Sequence, residues 1–287
     1  MRKELMEEEA ALRASIGQSL RSQDDAAESA IKALWATLDR KGKPPSKGEP
    51  IPQGWHSVFF WPNFRPQELR PDGSPISTGV LPKVSLPRRV FGGVTLRFHQ
   101  PILIGEHLTR ETLLKDIQMK EGKAGAICIA TLQSKISTDA GLAVEEFWTT
   151  VFRDEDKGQS RPAAPLEKSP QPDAAWSRQV TPDPVLLMRY SALTFNSHRI
   201  HFDREYAIQH EKYAGLVVHG PLMSNLMLDF AADNNPGRLF SSYSMRAQAP
   251  VYDTGPFRIE GCPTKDGCSI WISTDNASPA MTAEVTF

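Results

Sequence analysis

The stretch 215–237 reads GLVVHGPLMSNLMLDFAADNNPG and decides how the second half of this 287-residue chain folds. From Leu222 onward, large apolar residues recur at every fourth position with further apolar residues beside them, which is typical of a helix that is buried on most of its surface. Pro221 suits the first turn of a helix, and the Asn-Asn-Pro-Gly sequence at the end of the stretch stops it. We therefore predict a strongly apolar helix over about 221–232.

Segments with β character follow this helix, and they repeat an arrangement found earlier in the chain. The later segments read SSYSMRAQAPVY, FRIEGC, SIWISTD and MTAEVTF. Four longer segments between residues 94 and 153 predict an antiparallel meander, and they come after helical spacing over 24–39. The simplest account is an α+β fold in which a helix wrapped by an antiparallel sheet is made twice in one chain.

Proline clusters suggest the boundaries of these two units. Residues 155–184 hold six prolines and many charges, and we interpret them as a linker. It would join a first module at 15–154, predicted to be non-catalytic, to a catalytic second module at 185–287. A second Pro-rich segment, 44–91, is predicted to be a long loop, and its many aromatic residues indicate that it is held against the protein.

Composition excludes several classes of protein. The net charge of −1 gives no support for binding nucleic acid or an anionic membrane. Three scattered cysteines are too few for a disulfide scaffold, and no run of about 18 apolar residues predicts a membrane span. The first ten residues include four glutamates and no apolar core of a signal peptide, so we expect a cytoplasmic protein, with a mitochondrial location left open.

The densest polar segment covers 189–203 and reads RYSALTFNSHRIHFD. Val-His-Gly-Pro at 218–221 follows it, directly before the apolar helix. This combination resembles the MaoC-like (R)-specific enoyl-CoA hydratases, whose motif reads Asp-x-Asn-Pro-apolar-His with a His-Gly downstream. Leu-Pro-Arg-Arg-Val-Phe-Gly-Gly at 86–93, Asp-Gly at 72–73 and Val-Glu-Glu at 144–146 resemble the double-hotdog branch of that family.

The resemblance covers most of residues 15–287 and implies a double hotdog fold with hydro-lyase activity on an α,β-unsaturated acyl-CoA. The branch includes mesaconyl-C4-CoA hydratase, itaconyl-CoA hydratase and type 2 hydroxyacyl-thioester dehydratases, so the first expected substrate is a C5 dicarboxylyl-CoA that yields citramalyl-CoA. A 3-hydroxyacyl-thioester dehydratase of fatty-acid metabolism is the alternative enzyme. A thioesterase and a non-catalytic acyl-CoA-binding protein stay open, because one fold hosts several activities.

His201 and Asn196 fall on the family's catalytic His and Asp positions. The ordinary pKa of histidine, near 6.5, suits a group that carries a proton from water to carbon. An amide does not accept a proton at neutral pH, so we expect Asn196 to hold the attacking water instead. The chain therefore departs from the family at one of its two proton-accepting groups.

The start of the apolar helix predicts the site for the negatively charged thioester oxygen. Backbone N–H groups and the positive helix end at His219 and Gly220 suit such an oxyanion. Gly220 would also let the substrate approach closely. Tyr190 is a candidate contact in the same site.

Cationic side chains are candidates for binding the acidic parts of the substrate. His198 and Arg199 replace neutral residues of the motif beside the catalytic pair and are hypothetical partners of a second substrate carboxylate. Arg88, Arg89 and Arg246 are candidates for CoA phosphates or a carboxylate, because arginine binds such groups through two parallel hydrogen bonds.

No metal and no cofactor is predicted, CoA being part of the substrate. The spacing of His198, His201, Asp203 and His219 fits no standard zinc motif. The expected partner is a small acyl-CoA thioester, with neither nucleic acid nor membrane. Two modules in one chain would already form a pseudo-dimer, so both a monomer and a homodimer are compatible with the sequence.

Overall fold

The computed structural model describes residues 2–61, 63–77, 79–122, 125–153, 173–274 and 278–287. Ten strands in these residues form one antiparallel sheet: β1 Ser19–Asp25, β2 Arg88–Phe98, β3 His107–Gly122, β4 Gly125–Thr138, β5 Gly141–Arg153, β6 Trp176–Val180, β7 Ser242–Ala247, β8 Phe257–Pro263, β9 Gly267–Ser273 and β10 Met281–Thr286. The α-helices are α1 Arg2–Arg13, α2 Glu28–Thr37, α3 Pro184–Leu193, α4 Arg204–Gln209 and α5 Gly220–Asn234. Short 3₁₀ helices lie at Trp55–Val58, Pro66–Glu68 and Arg199–His201. Within the described residues, no helix has the length and apolar character needed to cross a membrane.

The sheet consists of two halves with the same internal order. The first half runs β1-β3-β4-β5-β2, and the second repeats this order from its outer edge inward as β6-β8-β9-β10-β7. The halves meet where β2 pairs with β7, from Gly93 opposite Arg246 to Arg97 opposite Ser242. A Cβ on Gly93 would lie 2.3 Å from the carbonyl oxygen of Met245, so glycine permits this approach. The predicted α+β class is confirmed, and the two sheets are continuous.

The predicted meander over 94–153 is correct for β3, β4 and β5 and wrong for β2. β2 pairs with β5 and with β7 of the other half, and in the described part of the chain it does not pair with β3. The reason is that β2 joins the two halves and therefore has to lie at the inner edge of its own half. β7 has the equivalent place beyond β10.

The predicted apolar helix is α5, and every residue from Leu222 to Ala231 is buried. It packs against β7, β8 and β9. The helix predicted over 24–39 extends only over Glu28–Thr37, because residues 19–25 form β1 and pair with β3. The first-half helix α2 packs against α3 of the second half and against the 3₁₀ helix at 55–58.

The predicted linker, 155–184, is too long at its C-terminal end. Trp176–Val180 forms β6, which pairs with β8, and its alternating burial reflects one face against the protein. Pro184 begins α3, capped by the Asp183 carboxylate, which accepts from the Leu186 N–H at 2.8 Å. Residues 155–172 of the predicted linker lie outside the described residues.

The Pro-rich segment predicted as a loop over 44–91 ends at 87, where β2 begins. As expected from its aromatic residues, it is held against the protein. The indole N–H of Trp55 donates to the Asp229 carboxylate of α5 at 2.9 Å, inside the core. Gln53 makes two hydrogen bonds to the backbone of Phe240. The first half of the chain thus covers the helix of the second half.

Candidate active site

A short loop between α3 and α4 positions the histidine predicted to be catalytic. His201 is buried in the 3₁₀ turn at 199–201, and its Nδ1–H donates to the carbonyl oxygen of Val217 at 2.7 Å. Because a carbonyl oxygen only accepts hydrogen bonds, the ring proton is on Nδ1 and Nε2 keeps its lone pair. His201 is therefore fixed in the tautomer that a general base requires.

His219 lies against His201 at the start of the apolar helix. The two imidazole rings stack with centroids 3.7 Å apart and an interplanar angle of 19°. His219 Nε2 hydrogen bonds with the Ser191 hydroxyl at 2.8 Å, and the ring of Tyr190 packs against it with centroids 5.1 Å apart. His219 caps α5, so Gly220 is the first helical residue. The structure thus brings these predicted site residues together.

The N-terminus of α5 offers a free backbone donor beside these rings. The N–H of Gly220 precedes the helical hydrogen-bond ladder, and Pro221 has no N–H. The helix dipole places positive partial charge at this end. Phe91 of β2 packs onto Gly220 so closely that a Cβ there would lie 2.3 Å from its Cδ1. This geometry suits stabilisation of an oxyanion, and it requires glycine.

Burial keeps the three histidines of the site neutral. It lowers the pKa of His201 to about 3 and the pKa of His219 well below the usual 6.5, with a further lowering from the neighbouring histidines. The pKa of His198 is also lowered, first by burial and then by the charges of Arg89 and Arg70, against the opposing effect of Asp72. At neutral pH, His201 is thus a free base without a preceding deprotonation.

The side chain of Asn196 shapes the loop. Its Oδ1 accepts the backbone N–H of His198 at 3.0 Å, which closes a local turn. The backbone N–H of Asn196 donates to the carbonyl oxygen of Ser191 at 2.8 Å. Among the described residues, no acceptor engages the side-chain amide nitrogen, which is the part of Asn196 left to hold a water molecule.

A loop from the first half of the chain docks onto this catalytic loop. The carbonyl oxygen of Asp72 accepts from the Arg199 N–H at 2.8 Å, and the Ser197 hydroxyl donates to the Gly73 carbonyl at 2.7 Å. Gly73 has a φ of +81°, and a Cβ there would lie 1.9 Å from the Ser197 carbonyl oxygen. The Asp72 carboxylate faces His198, with Oδ2 and Nε2 3.7 Å apart. The first half therefore supplies one wall of the site.

Comparison with known proteins identifies the family. Residues 54–253 match the hydroxyacyl-thioester dehydratase type 2 family. The chain belongs to this dehydratase family. Mesaconyl-C(4)-CoA hydratase from Chloroflexus aurantiacus is 38% identical over 271 residues, which cover 94% of this chain and 95% of that protein. The mitochondrial hydroxyacyl-thioester dehydratase type 2 of Schizosaccharomyces pombe is 27% identical over 80% of this chain and 84% of its own length.

Solved structures agree on the fold. A MaoC-like dehydratase from Phytophthora capsici superposes with a TM-score of 0.68 at 15% identity, covering 96% of this chain and 97% of that one. A Mycobacterium tuberculosis protein described as having a double hotdog fold gives a TM-score of 0.52 at 14% identity, covering 94% and 95%. The expected double hotdog is confirmed. As a member of the type 2 dehydratase family with hydratase and dehydratase relatives, the chain is a hydro-lyase.

Of the arginines predicted to bind substrate, Arg199 is engaged by other protein groups and Arg246 is exposed. Arg199 donates to the Asp203 carboxylate at 2.8 and 3.0 Å and lies over the ring of Tyr206, so it anchors the loop. Arg246 is exposed on β7, on the face opposite its buried neighbour Met245 and hence away from α5. The Arg199 side chain is thus engaged by the protein and the Arg246 side chain faces solvent, and their substrate contacts stay predictions.

The other two predicted arginines lie at the start of β2. Arg88 is 3.8 Å from Glu211. The Arg89 side chain has no hydrogen bond or ion pair to any residue that the structure describes, and burial together with the charge of Arg70 lowers its pKa to about 10. Within the described residues, no group of three or more His, Cys, Asp or Glu side chains is arranged to hold a metal ion.

The sequence interpretation missed three groups of the dehydratase-family site. Ser191 and Val217 hold the two stacked histidines, and Asp72 faces the third. A serine and a backbone carbonyl carry no sequence signal for such roles. The Asp-Gly pair at 72–73 contributes to the family resemblance, but its contact with His198 joins residues that are far apart in the sequence and so has no local signal.

Proposed function

We propose that this hydro-lyase adds water to a C5 dicarboxylyl-CoA, with mesaconyl-C4-CoA as the first substrate and citramalyl-CoA as the product, and that His201 is the catalytic base. The observation that carries the proposal is the hydrogen bond from His201 Nδ1 to Val217, which leaves Nε2 free in a neutral ring. The choice of substrate is supported by the 38% identity to a mesaconyl-C(4)-CoA hydratase. Itaconyl-CoA, which gives the same product, is the second substrate to assay.

The reaction needs one proton to travel from water to carbon. His201 Nε2 takes a proton from water as the oxygen bonds to the β-carbon, and the double-bond electrons move toward the thioester carbonyl. The Gly220 N–H and the α5 dipole stabilise the resulting enolate oxygen. The enolate collapses, and its α-carbon takes the proton back from His201. A protonated imidazole whose pKa is about 3 gives up its proton readily.

Asn196 cannot accept a proton, so its role in this scheme is to orient the attacking water. Its free amide nitrogen can donate to the oxygen of the attacking water. His198, whose ring centroid lies 5.6 Å from that of His201, borders the same space and faces the Asp72 carboxylate. In this scheme one residue does the proton transfer and two orient the water.

The test follows the ultraviolet absorbance of the conjugated enoyl thioester in the presence of the purified protein. Loss of conjugation in mesaconyl-C4-CoA, with citramalyl-CoA identified by mass, supports the proposal. Turnover of longer 2-enoyl-CoA chains but not of mesaconyl-C4-CoA would instead favour the fatty-acid dehydratase, which the family match supports. Release of free thiol without hydration would contradict both.

A further inference from the structure

We infer that Arg89 binds the free carboxylate of the substrate and thereby selects a dicarboxylyl-CoA over an uncharged enoyl-CoA; this rests on the proposed function. The first observation is that Arg89 is a recessed cation without a protein anion. Two other arginines near the catalytic loop are paired with acids, Arg88 with Glu211 and Arg199 with Asp203. For Arg89, no acid partner is found in the described ranges, and the charge acting on it is that of another cation, Arg70.

An unpaired guanidinium withdrawn from water is costly, and a bound anion offsets that cost. The lowered pKa of Arg89, about 10, reflects this burial and still leaves the group charged at neutral pH. The side chain is only partly exposed, so a ligand would meet it inside the protein. A carboxylate matches its planar, two-pronged geometry.

The place of Arg89 on β2 brings it to the catalytic centre. Residues two apart on a strand point to the same face, about 7 Å apart, so Arg89 and Phe91 share a face before the bulge that follows Phe91. Phe91 packs directly on Gly220, the proposed oxyanion donor. Arg70 approaches the same strand, with its guanidinium 3.5 Å from the carbonyl oxygen of Pro87.

The charges of Arg89 and Arg70 are both felt at His198. The ring of His198 is next to that of His201. The acidic groups that also act on His198 are already engaged: Glu211 pairs with Arg88, and Asp72 accepts from the Ser74 N–H and hydroxyl. Because these acids have other partners, the Arg89 guanidinium is available to bind a substrate carboxylate.

The chemistry of the substrate fits this position. In mesaconyl-C4-CoA the free carboxylate is on the same carbon that receives the hydroxyl group. Its receptor therefore has to lie near both the base and the oxyanion site. Arg89 meets this requirement through its strand neighbour Phe91, which packs on Gly220, and through its charge, which acts on His198. Crotonyl-CoA has the same thioester and double bond, but it carries a methyl group in the position of this carboxylate and a hydrogen in the position of the mesaconyl methyl group. It therefore lacks the charge that Arg89 would bind.

The experiment compares Arg89→Gln with wild type on both thioesters, reading crotonyl-CoA by turnover or as a competitive inhibitor. The matched control is Arg258→Gln, at an exposed arginine on β8 that is not among the candidate site residues. We expect kcat/KM for mesaconyl-C4-CoA to fall roughly 100-fold in Arg89→Gln, as for loss of one partner of a buried charge pair. The crotonyl-CoA constants and the control should change less than about threefold.

Other outcomes separate the two proposals. If wild type does not hydrate mesaconyl-C4-CoA, the proposed function fails. If wild type does so and Arg89→Gln loses both thioesters equally, or neither, the carboxylate role is wrong. Arg89→Lys keeps the charge without the two-pronged geometry, and it provides a second test if the glutamine variant does not fold. It should lose mesaconyl-C4-CoA activity selectively, and an unchanged selectivity ratio would overturn the inference.

Discussion

His201 stacks on His219 with 3.7 Å between ring centroids, so the proposed base and the cap of the apolar helix form one buried aromatic pair. Val217 and Ser191 each hold one ring by a hydrogen bond. Two parallel neutral imidazoles are compatible with this contact, whereas two charged rings would repel each other. The arrangement therefore links the protonation state of the site to the stability of the fold.

Acidification should destabilise the protein. The lowered native pKa values of His198, His201 and His219 mean that the unfolded chain binds more protons below about pH 6.5, so stability rises with pH in this range. Asp229 acts in the opposite direction between about pH 4 and 6, because burial raises its native pKa to about 6. Each net proton contributes about 1.4 kcal/mol per pH unit. Urea unfolding at about pH 5, 6 and 7 should show the free energy of unfolding increasing with pH. A flat or falling profile would contradict the neutral histidine cluster.

Docking of the first-half loop should be necessary for activity. In Gly73→Ala, the new Cβ would meet the Ser197 carbonyl oxygen at 1.9 Å and push the loop away from the catalytic turn. Gly42→Ala is the matched control, since Gly42 has a similar φ of +84° and open space around it. Both variants should lose about 1–2 kcal/mol of stability from the backbone strain, and Gly73→Ala should lose more because of the clash with Ser197. We expect only Gly73→Ala to lose kcat as well, and equal activity in the two variants would exclude a catalytic role for the docked loop.

Asn196 should tolerate a carboxylate better than an apolar group. In Asn196→Asp, an oxygen can still accept the His198 N–H that closes the turn. Asn196→Ala removes that acceptor and the amide donor together. Steady-state rates should therefore fall far more in the alanine variant. If the aspartate variant is equally inactive while its thermal melt is unchanged, the amide donor itself is essential and the turn is secondary.

Gly220 should resist any side chain. Gly220→Ala places a methyl group 2.3 Å from the ring of Phe91, so the start of α5 has to shift. A displaced N–H stabilises the enolate less, and kcat should fall roughly 100-fold, as for loss of one oxyanion donor. Gly255→Ala, with nothing within 4 Å, is the control and should retain full activity. Retained kcat in Gly220→Ala would argue against an oxyanion site at this helix end.

Much of the fold follows from local pattern, whereas the pairing of its parts does not. The period of α5 and the alternation in the strands are properties of neighbouring residues, so α5, β3, β4 and β5 could be predicted. β2 beside β7 and the docking of Gly73 on Ser197 depend on contacts between distant segments. The short β6 lay in a segment whose prolines favoured a linker.

The candidate site divides in the same way. His201, His219 and Gly220 lie in a recognisable pattern, and the structure brings them together. The hydrogen bonds that fix them come from groups without a sequence signature. The position of Arg199 beside the motif suggests a substrate contact, but the structure pairs its side chain with the Asp203 carboxylate. Charge partners of this kind are decided by side-chain packing.

The central claim is that His201 transfers the proton during hydration of mesaconyl-C4-CoA, and the rate of absorbance loss in wild type and His201→Ala tests it most directly. His99→Ala, at an exposed histidine outside the site, is the control. We predict that wild type and the control hydrate the substrate and that His201→Ala is slower by roughly 100- to 10,000-fold with an unchanged circular dichroism spectrum. Full activity in a folded His201→Ala would contradict the mechanism.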